Sequence, residues 1–154
     1  MAATVVKDIM TKVIVTIEHT KNVIDAAKLM SEKVISSLFV VMDGEPIGIV
    51  TERDFVKKIC AVGISPSETK ILDIMSKITI TAEPETPIDV AVQRMINHKI
   101  RRLPVIDNGK IVGIITVTDL AKHLRTTLLL DGTLQEMDQL DDEISSTSRP
   151  NNTQ

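Results

Sequence analysis

Short apolar runs separated by turn residues set the pattern of this chain, and they occur in two matching pairs. In each pair, a dipeptide that favours left-handed backbone lies between two runs rich in Val and Ile, which predicts a β-hairpin. The first hairpin comprises Leu38–Met42, Asp43-Gly44 and Ile47–Val50, and the second comprises Leu103–Ile106, Asn108-Gly109 and Ile111–Ile115.

A shorter strand and a helix are predicted before each hairpin. Val13–Thr16 and Ile78–Thr81 are rich in β-branched residues, which favours strands. Apolar residues at helical spacing then predict one helix in each half. These helices run through Ala26 and Met30 in the first half, and through Ala91 and Met95 in the second.

Capping residues predict where these helices start. Thr86-Pro87-Ile88-Asp89 reads as an N-cap threonine, a proline at the first helical position and an aspartate three residues beyond the cap. In the first half, Asn22 and Asp25 can do the same work, one residue out of register with Thr86. Each half is therefore predicted to run strand, helix, strand, strand, helix.

The two halves are copies of one unit, related by an offset of 65 residues. Without a gap, 17 of 54 positions are identical between residues 6–59 and 71–124, whereas about three would be expected at average composition. We expect an α/β (α+β) fold of two repeated β-α-β-β-α units packed about a pseudo-twofold axis, because one unit has too small a sheet to bury both faces. The predicted boundaries are 1–63, 64–125 and a C-terminal segment, 126–154.

The C-terminal segment lies outside the repeat and is acidic. Gly132 can end a helix, and Thr133 with Glu136 matches a capping box ahead of a weak amphipathic stripe. This predicts an acidic helix, either solvated or partner-binding. The polar residues 145–154 are expected to be disordered.

Composition narrows the range of functions. The net charge is −3, with 25% charged and 43% hydrophobic residues, which argues against a nucleic-acid partner. No apolar run approaches the roughly 18 residues of a membrane span, and the N-terminus shows no signal-peptide pattern, so we expect a cytoplasmic protein. The chain has no Trp, no Tyr and two Phe. Any pocket for a nucleobase must therefore have aliphatic walls.

The sequence does not supply the residue patterns that catalysis or metal binding would need. The single cysteine, Cys60, falls in a predicted helix, and His19, His98 and His123 are not spaced as metal ligands. No nucleophile, base and orienting group form a triad-like pattern, and the glycine motif of P-loop enzymes is absent. We therefore expect no catalytic residue, no metal site and no cofactor.

Each hairpin leads into its closing helix through the same spacing, Thr51 to Asp54 and Thr116 to Asp119. One interpretation is a capping box, which contributes about 1 kcal/mol and needs no ligand. The other is a ligand site. There the carboxylate accepts ribose hydroxyls, as an acidic residue does in dinucleotide folds, while the threonine and the helix start face phosphate. Both roles can coexist in one pair of residues.

The ordered set of motifs resembles the CBS domain (cystathionine β-synthase domain), and its duplication resembles a CBS pair, or Bateman module. The resemblance covers about residues 5–124. It is carried by Asp8-Ile9-Met10 and Asp73-Ile74-Met75, Ala26–Met30 and Ala91–Met95, Arg102-Leu103-Pro104-Val105, Gly44, Gly109 and the two Gly-x-x-Thr-x-x-Asp endings. The family implies a two-unit α/β module that often dimerises into a flat disk. It also implies a sensor that binds AMP, ADP, ATP or S-adenosylmethionine between the units.

The resemblance further implies which residues form a nucleotide site. Asp54 and Asp119 would hold ribose, and Arg101 and Arg102 would contact phosphate, because arginine binds phosphate oxygens in charge-assisted pairs. The resemblance also implies adenine walls at Val15, Ile35, Ile80 and Ile100. The positions at the helix starts, Thr51, Arg53, Thr116 and Thr118, complete the candidate site. The alternatives are a solvated arginine pair and plain core packing of the aliphatic residues.

The two clefts are not expected to be equal. Ser36-Ser37 stands in the first repeat where the second has Arg101-Arg102, and Arg53 stands where the second has Thr118. We therefore expect one phosphate-competent cleft and one that is weaker or differently specific. Which cleft the arginines face stays open.

Two functions remain in view. The first is a regulatory sensor that binds an adenine nucleotide, forms a homodimer and acts on an unidentified partner protein. The alternative is a ligand-free scaffold for dimerisation or interaction, in which the Thr-x-x-Asp pairs serve as helix caps.

Overall fold

The computed structural model describes residues 3–130 and residue 132, and its elements fall into two matching series. The first series is α1 (Val6–Ile9), β1 (Thr16–Glu18), α2 (Val23–Lys33), β2 (Ser37–Met42), β3 (Glu45–Thr51) and α3 (Glu52–Phe55), which continues as a π-helical turn at Val56–Cys60. The second is α4 (Ile71–Ile74), β4 (Ser76–Lys77), α5 (Ile88–His98), β5 (Arg102–Asp107), β6 (Lys110–Thr116) and α6 (Val117–Leu130). The predicted α/β fold of two repeated units is confirmed.

Both predicted hairpins are present, with β2 antiparallel to β3 and β5 antiparallel to β6. The two turn residues of each hairpin have positive φ: 52° at Asp43, 79° at Gly44, 50° at Asn108 and 76° at Gly109. Two positive φ angles in succession define the tight turn whose twist matches that of the flanking strands. Local residue chemistry was therefore sufficient to predict both turns.

The first strands differ from the prediction in both repeats. β1 covers Thr16–Glu18 rather than Val13–Thr16 and pairs parallel with β2. Residues 78–81 form no strand in the described structure, where Ala82 makes a single parallel bridge to the second hairpin. Residues 13–15 lie outside β1 as well, so the strand was predicted too early in both repeats. Pro104 removes one further hydrogen bond from the second repeat. Its counterpart Phe39 donates its N–H to Val15 O at 3.1 Å, and proline has no N–H to donate.

Helix α2 starts as predicted, whereas α5 does not. Asn22 caps α2: its Oδ1 accepts from Asp25 N at 2.9 Å, and Asn22 N donates to Asp25 Oδ2 at 3.2 Å. The N-cap of α5 is Pro87, not Thr86. Thr86 Oγ1 instead accepts from Glu83 N at 2.9 Å, which closes the preceding turn. The two helices are in register after all, because Pro87 lies 65 residues after Asn22.

The N-terminal segment of each repeat pairs with the other repeat. β4 of the second repeat joins the edge of β3, which gives a sheet of order β1-β2-β3-β4. In return, Thr11 of the first repeat bridges Ile114 in β6, with N–O distances of 2.9 and 3.0 Å. The two repeats therefore complete each other's sheets.

The first residues of α1 and α4 each donate a backbone hydrogen bond to the other repeat, in the same symmetric way. Val6 N donates to Thr86 O at 2.8 Å, and the equivalent bond runs from Ile71 N to Lys21 O at 2.9 Å. Each residue of the second bond lies 65 positions from its counterpart in the first. The repetition of these contacts is what a pseudo-twofold relation between the repeats requires.

An ion pair between Lys7 and Glu85 adds to one of these junctions. The hydrogen bond and charge of Glu85 raise the pKa of Lys7 above its ordinary 10.5. Leu72 and Thr20 occupy the equivalent positions, so the other junction lacks this pair. Both side chains are exposed, and such a pair contributes little to stability.

The hydrophobic core of the first repeat includes residues from the second. Its buried members are Ile17, Val23, Ala26, Met30, Leu38, Val40, Val50, Ile59, Ile71 and Ile74. The last two belong to α4, and they are 0% and 4% exposed. The exchange of segments therefore also fills the core.

The chain divides into two compact units, with Thr116 the last residue of the first unit and Val117 the first of the second. Helix α6 opens the second unit. The predicted capping box at Thr133, the acidic helix and the disordered terminus lie outside the described residues. Within the described residues, no helix is both long and apolar enough to cross a membrane.

Candidate functional site

Thr51 and Asp54 form a capping box at the start of α3. Thr51 has extended backbone, with φ −128°, and its N–H donates to Asp54 Oδ2 at 2.9 Å. Its hydroxyl lies 3.2 Å from the same oxygen and 3.4 Å from Asp54 N. The capping interpretation is therefore correct for the first repeat. A carboxylate has about four lone-pair positions, so capping leaves acceptor capacity for a ligand.

The other carboxylate oxygen of Asp54 is held by Lys58. Lys58 Nζ lies 3.0 Å from Asp54 Oδ1 and donates to Ile74 O at 2.7 Å. The Asp54 side chain is 14% exposed, and that of Lys58 is 42% exposed. Asp54 is therefore enclosed between its own helix cap and a lysine that also reaches α4.

Arg102 of the second repeat reaches the first repeat. Its Nη2 donates to Ser36 Oγ at 2.9 Å. Ser36 O in turn accepts from Glu52 N, the first residue of α3, at 3.1 Å. The guanidinium thus lies two hydrogen bonds away from the helix start that follows Thr51. The sequence left open which way the arginines face. In the structure, Arg102 faces the start of β2.

The other two arginines predicted for the site lie at the surface. Arg101 and Arg53 are both exposed, while Arg102 is half-buried. The structure gives Arg102 a fixed polar partner and leaves the two exposed guanidinium groups in contact with solvent. Of these three, Arg102 is the best-positioned cation.

The second Thr-x-x-Asp pattern falls across the boundary between the two units. Thr116 is the last residue of β6, and Asp119 lies in the first turn of α6. Thr118, between them in sequence, is exposed. Their predicted roles rest on the sequence repeat and stay predictions.

The four predicted adenine-wall residues are all half-buried. Val15 and Ile35 pack against the core of the first repeat, so they have a packing role whether or not a ligand is present. Ile80 and Ile100 are their counterparts in the second repeat. The structure therefore supports a structural role for the first pair and leaves the adenine role as a prediction.

Two similarly placed cavities, each of about 360 Å³, lie beside the first long helix of each repeat. The first is lined by Thr16, Ile17, Glu18, Lys21, Asp25, Lys28, Leu29 and Glu32. The second is lined by Thr79, Ile80, Thr81, Ala82, Glu83, Arg94 and His98. Arg94 stands where the first has Leu29, and its Nη1 donates to Thr81 O at 2.8 Å. Among the described residues, no group of three or more His, Cys, Asp or Glu is placed to hold a metal.

Sequence reasoning missed two residues that shape this site, Lys58 and Ser36. The Lys58 signal was available, because a lysine four residues after an aspartate on a helix is a favourable ion pair. In the sequence, Ser36 stands out only as the position where the second repeat has arginine. Its contact with Arg102 joins residues 66 positions apart, and no local pattern predicts such a contact.

The fold and this geometry define a class of protein: a duplicated α/β module in which each repeat lends its N-terminal segment to the other. The sequence profile of the CBS domain matches residues 6–61 and again residues 71–126. The chain therefore belongs to the CBS-domain family and carries a tandem pair, or Bateman module. The resemblance read from the sequence is confirmed.

The chain is also similar to individual proteins and solved structures that contain CBS domains or resemble them in sequence. The uncharacterized protein MK0525 of Methanopyrus kandleri is 41% identical over 109 residues, which are 70% of this chain and 56% of that protein. The hexameric CBS-CP12 protein from bloom-forming cyanobacteria is 36% identical, with a TM-score of 0.73, over 79% of this chain and 68% of that chain. The CBS domain pair of MJ0100, in complex with 5′-methylthioadenosine and S-adenosyl-L-methionine, is 29% identical, with a TM-score of 0.71, over 82% and 99%. This chain thus spans about half the length of the Methanopyrus relative.

Proposed function

We propose that this CBS pair is a regulatory module that binds an adenosine-containing ligand between its repeats. The observation that carries the proposal is the bond from Arg102 to Ser36. It brings a cation of the second repeat to the start of β2, where β2 pairs with Thr51 of the capping box. A group suited to phosphate and a group suited to ribose thus come from neighbouring elements of two repeats.

In this proposal, Asp54 accepts ribose hydroxyls and Arg102 binds phosphate or another anionic group. Thr51 and Arg53 flank the phosphate, and Arg101 adds positive charge at the surface. Val15, Ile35, Ile80 and Ile100 would form aliphatic walls for adenine, in a chain that has no Trp or Tyr to stack on a base. Thr116, Thr118 and Asp119 would have the equivalent ribose and phosphate roles in a second, unequal site.

The MJ0100 relative supports the ligand class. Its CBS pair was solved with 5′-methylthioadenosine and S-adenosyl-L-methionine, and both compounds contain adenosine. AMP, ADP, ATP and S-adenosylmethionine are therefore the ligands that we propose for this chain. A ligand acts as a regulator when it favours one arrangement of the module over another, and typical couplings are about 1–3 kcal/mol.

Calorimetric titration with AMP, ATP and S-adenosylmethionine tests this function. We expect binding to the wild-type chain, and a loss of at least tenfold in affinity in Asp54→Ala or Asp119→Ala, which is about 1.4 kcal/mol or more. Arg102→Ala should weaken the binding of AMP and ATP more than the binding of adenosine, which carries no phosphate. Binding that survives both aspartate substitutions unchanged would remove the proposed ribose roles.

A second candidate function is a ligand-free scaffold. It is favoured by one observation: both Asp54 oxygens already have partners within the chain. Here the substitution Asp54→Ala would lower stability by about 1 kcal/mol through loss of the cap. No nucleotide would then raise the melting temperature, whereas a ligand that binds the folded state stabilises it by mass action.

Self-association and a non-catalytic role belong to the same proposal. The hexameric CBS-CP12 relative supports assembly of CBS pairs, and we propose a homodimer here. Light scattering coupled to size-exclusion chromatography measures the assembly directly, with and without AMP. A cytoplasmic location, a regulated partner protein and the absence of catalysis stay predictions.

A further inference from the structure

Lys58 contacts both Asp54 and the exchanged helix α4, and the proposed function gives this lysine no role. Its Nζ lies 3.0 Å from Asp54 Oδ1 and 2.7 Å from Ile74 O. Ile74 is the last residue of α4, the short helix that the second repeat contributes to the first. One ammonium group therefore links the proposed ribose acceptor to the segment exchanged between repeats.

The position of Lys58 follows from the local helix geometry. α3 gives way to a π-helical turn at Val56–Cys60, and Lys58 lies within it, four residues after Asp54. A π turn inside a helix is rare and is frequently found at functional sites. The equivalent residue in the second repeat is His123, which has a shorter side chain, so the lysine is a feature of the first repeat.

The lysine and a ribose would compete for the acceptor capacity that capping leaves on Asp54. Asp54 Oδ2 already accepts from Thr51 N and Thr51 Oγ1, so Oδ1 is the oxygen with more acceptor capacity for a hydroxyl. Lys58 occupies that oxygen and neutralises the carboxylate charge, which weakens a hydrogen bond from an uncharged hydroxyl. The Asp54 side chain is also only 14% exposed while the lysine is in place.

We propose that Lys58 is an internal competitor for the ribose site on Asp54, and that its displacement couples ligand binding to the exchanged segment. This inference rests on the proposed function. When a ribose takes Oδ1, Lys58 leaves the carboxylate and its bond to Ile74 O is lost or lengthened. The α4 segment and β4, which follows it at Ser76–Lys77, then lose one attachment to the first repeat. Occupancy of the site is thereby converted into looser association of the two repeats at this junction.

Adenosine is the appropriate probe, because it has the ribose but no phosphate that could attract Lys58 by charge. We compare the wild-type chain with Lys58→Met, which is unbranched and one atom shorter than lysine and removes the charge. Lys58→Gln is a second variant that keeps a donor for Ile74 O. Lys57→Met is the matched control, since Lys57 is an exposed lysine on the same helical segment.

We expect adenosine to bind Lys58→Met about tenfold more tightly than the wild-type chain, and Lys57→Met to bind as the wild type does. Adenosine should also speed amide hydrogen exchange at Met75, whose N–H donates to Ile71 O at 3.0 Å, in the wild type but not in Lys58→Met. Adenosine binding by Lys58→Met without binding by the wild type would also support the inference, because the lysine would then block the site.

Equal or weaker adenosine binding by both Lys58 variants, with binding by the wild type retained, would overturn this inference and leave the proposed function intact. Absence of binding by all four proteins, to adenosine and to AMP, would overturn the proposed function and this inference with it. The two failures are therefore distinguishable in one set of titrations.

Discussion

Val34 ends helix α2 with a φ of 54°, and Lys99 ends α5 in the same way with a φ of 53°. Each is followed by an isoleucine whose N–H reaches back to a helix carbonyl: Ile35 to Met30 O and Ile100 to Met95 O, both at 3.0 Å. This C-terminal cap favours glycine, because a Cβ is strained in left-handed backbone. The two repeats keep the geometry without the favoured residue.

The substitution Val34→Gly should therefore stabilise the protein. Val34 is 90% exposed, so little packing is lost, while the strain of a β-branched residue at positive φ is removed. We expect the free energy of unfolding in urea to rise by about 1 kcal/mol. Glu32→Gly, an exposed position within the same helix, is the control and should lower it by about as much. A lower stability for Val34→Gly would mean that the cap is not strained.

Residue chemistry also explains where sequence reasoning about the site succeeded and stopped. The Thr51–Asp54 spacing predicted a capping box because that bond pattern is local. The guanidinium group alone makes Arg102 a candidate anion ligand. Its orientation towards Ser36 depends on how two repeats pack, and the sequence alone carries no information on that packing.

At the scale of elements, the exchanged segments require close backbone approach at two glycines. A Cβ on Gly48 would lie 2.9 Å from Ser76 O and against Met75 Sδ. A Cβ on Gly113 would lie 2.9 Å from Thr11 O and 2.6 Å from Met10 Sδ. The sulfur atoms end flexible side chains, but the carbonyl oxygens belong to the paired backbone. Glycine at these positions is what allows β4 and the Thr11 segment to pair.

Gly48→Ala should thus destabilise the protein, although alanine is ordinarily tolerated in a strand. We expect a loss of about 1–3 kcal/mol in the free energy of unfolding, the usual cost of overpacking. In a Met75→Ala background, the same substitution should cost less but still be unfavourable, because the Ser76 carbonyl remains. An equal cost in both backgrounds would show that the methionine contact contributes nothing.

The elements that sequence predicted well are those with local causes. The hairpins follow from Asp43-Gly44 and Asn108-Gly109, whose conformations are set by the residues themselves. The predicted start of α5 was wrong, because the Thr86 hydroxyl accepts a hydrogen bond in the preceding turn and does not cap the helix. The strands expected at residues 13–16 and 78–81 were predicted too early in both repeats, and Pro104 removes one further hydrogen bond from the second. That effect acts between segments and is visible once the pairing is known.

At the scale of the whole molecule, the repeats are not independent folding units. Residues 71–75 complete the core of the first repeat, and Thr11 completes the sheet of the second. We expect a chain of residues 1–63 to be unfolded, while residues 1–78 regain native secondary structure in part. Circular dichroism and the dispersion of amide NMR signals measure this. A dispersed, native-like spectrum from residues 1–63 would contradict the role given to the exchange.

The central claim is that one adenosine-type ligand contacts residues of both repeats. Amide and arginine side-chain NMR shifts, followed during titration of the full chain with AMP, test it most directly. The account predicts saturable shifts at Ser36, Thr51 and Asp54 together with the Nε of Arg102, and loss of all of them in Asp54→Ala. Shifts confined to the Thr79–Arg94 cavity, or no shifts at saturating AMP, would contradict it.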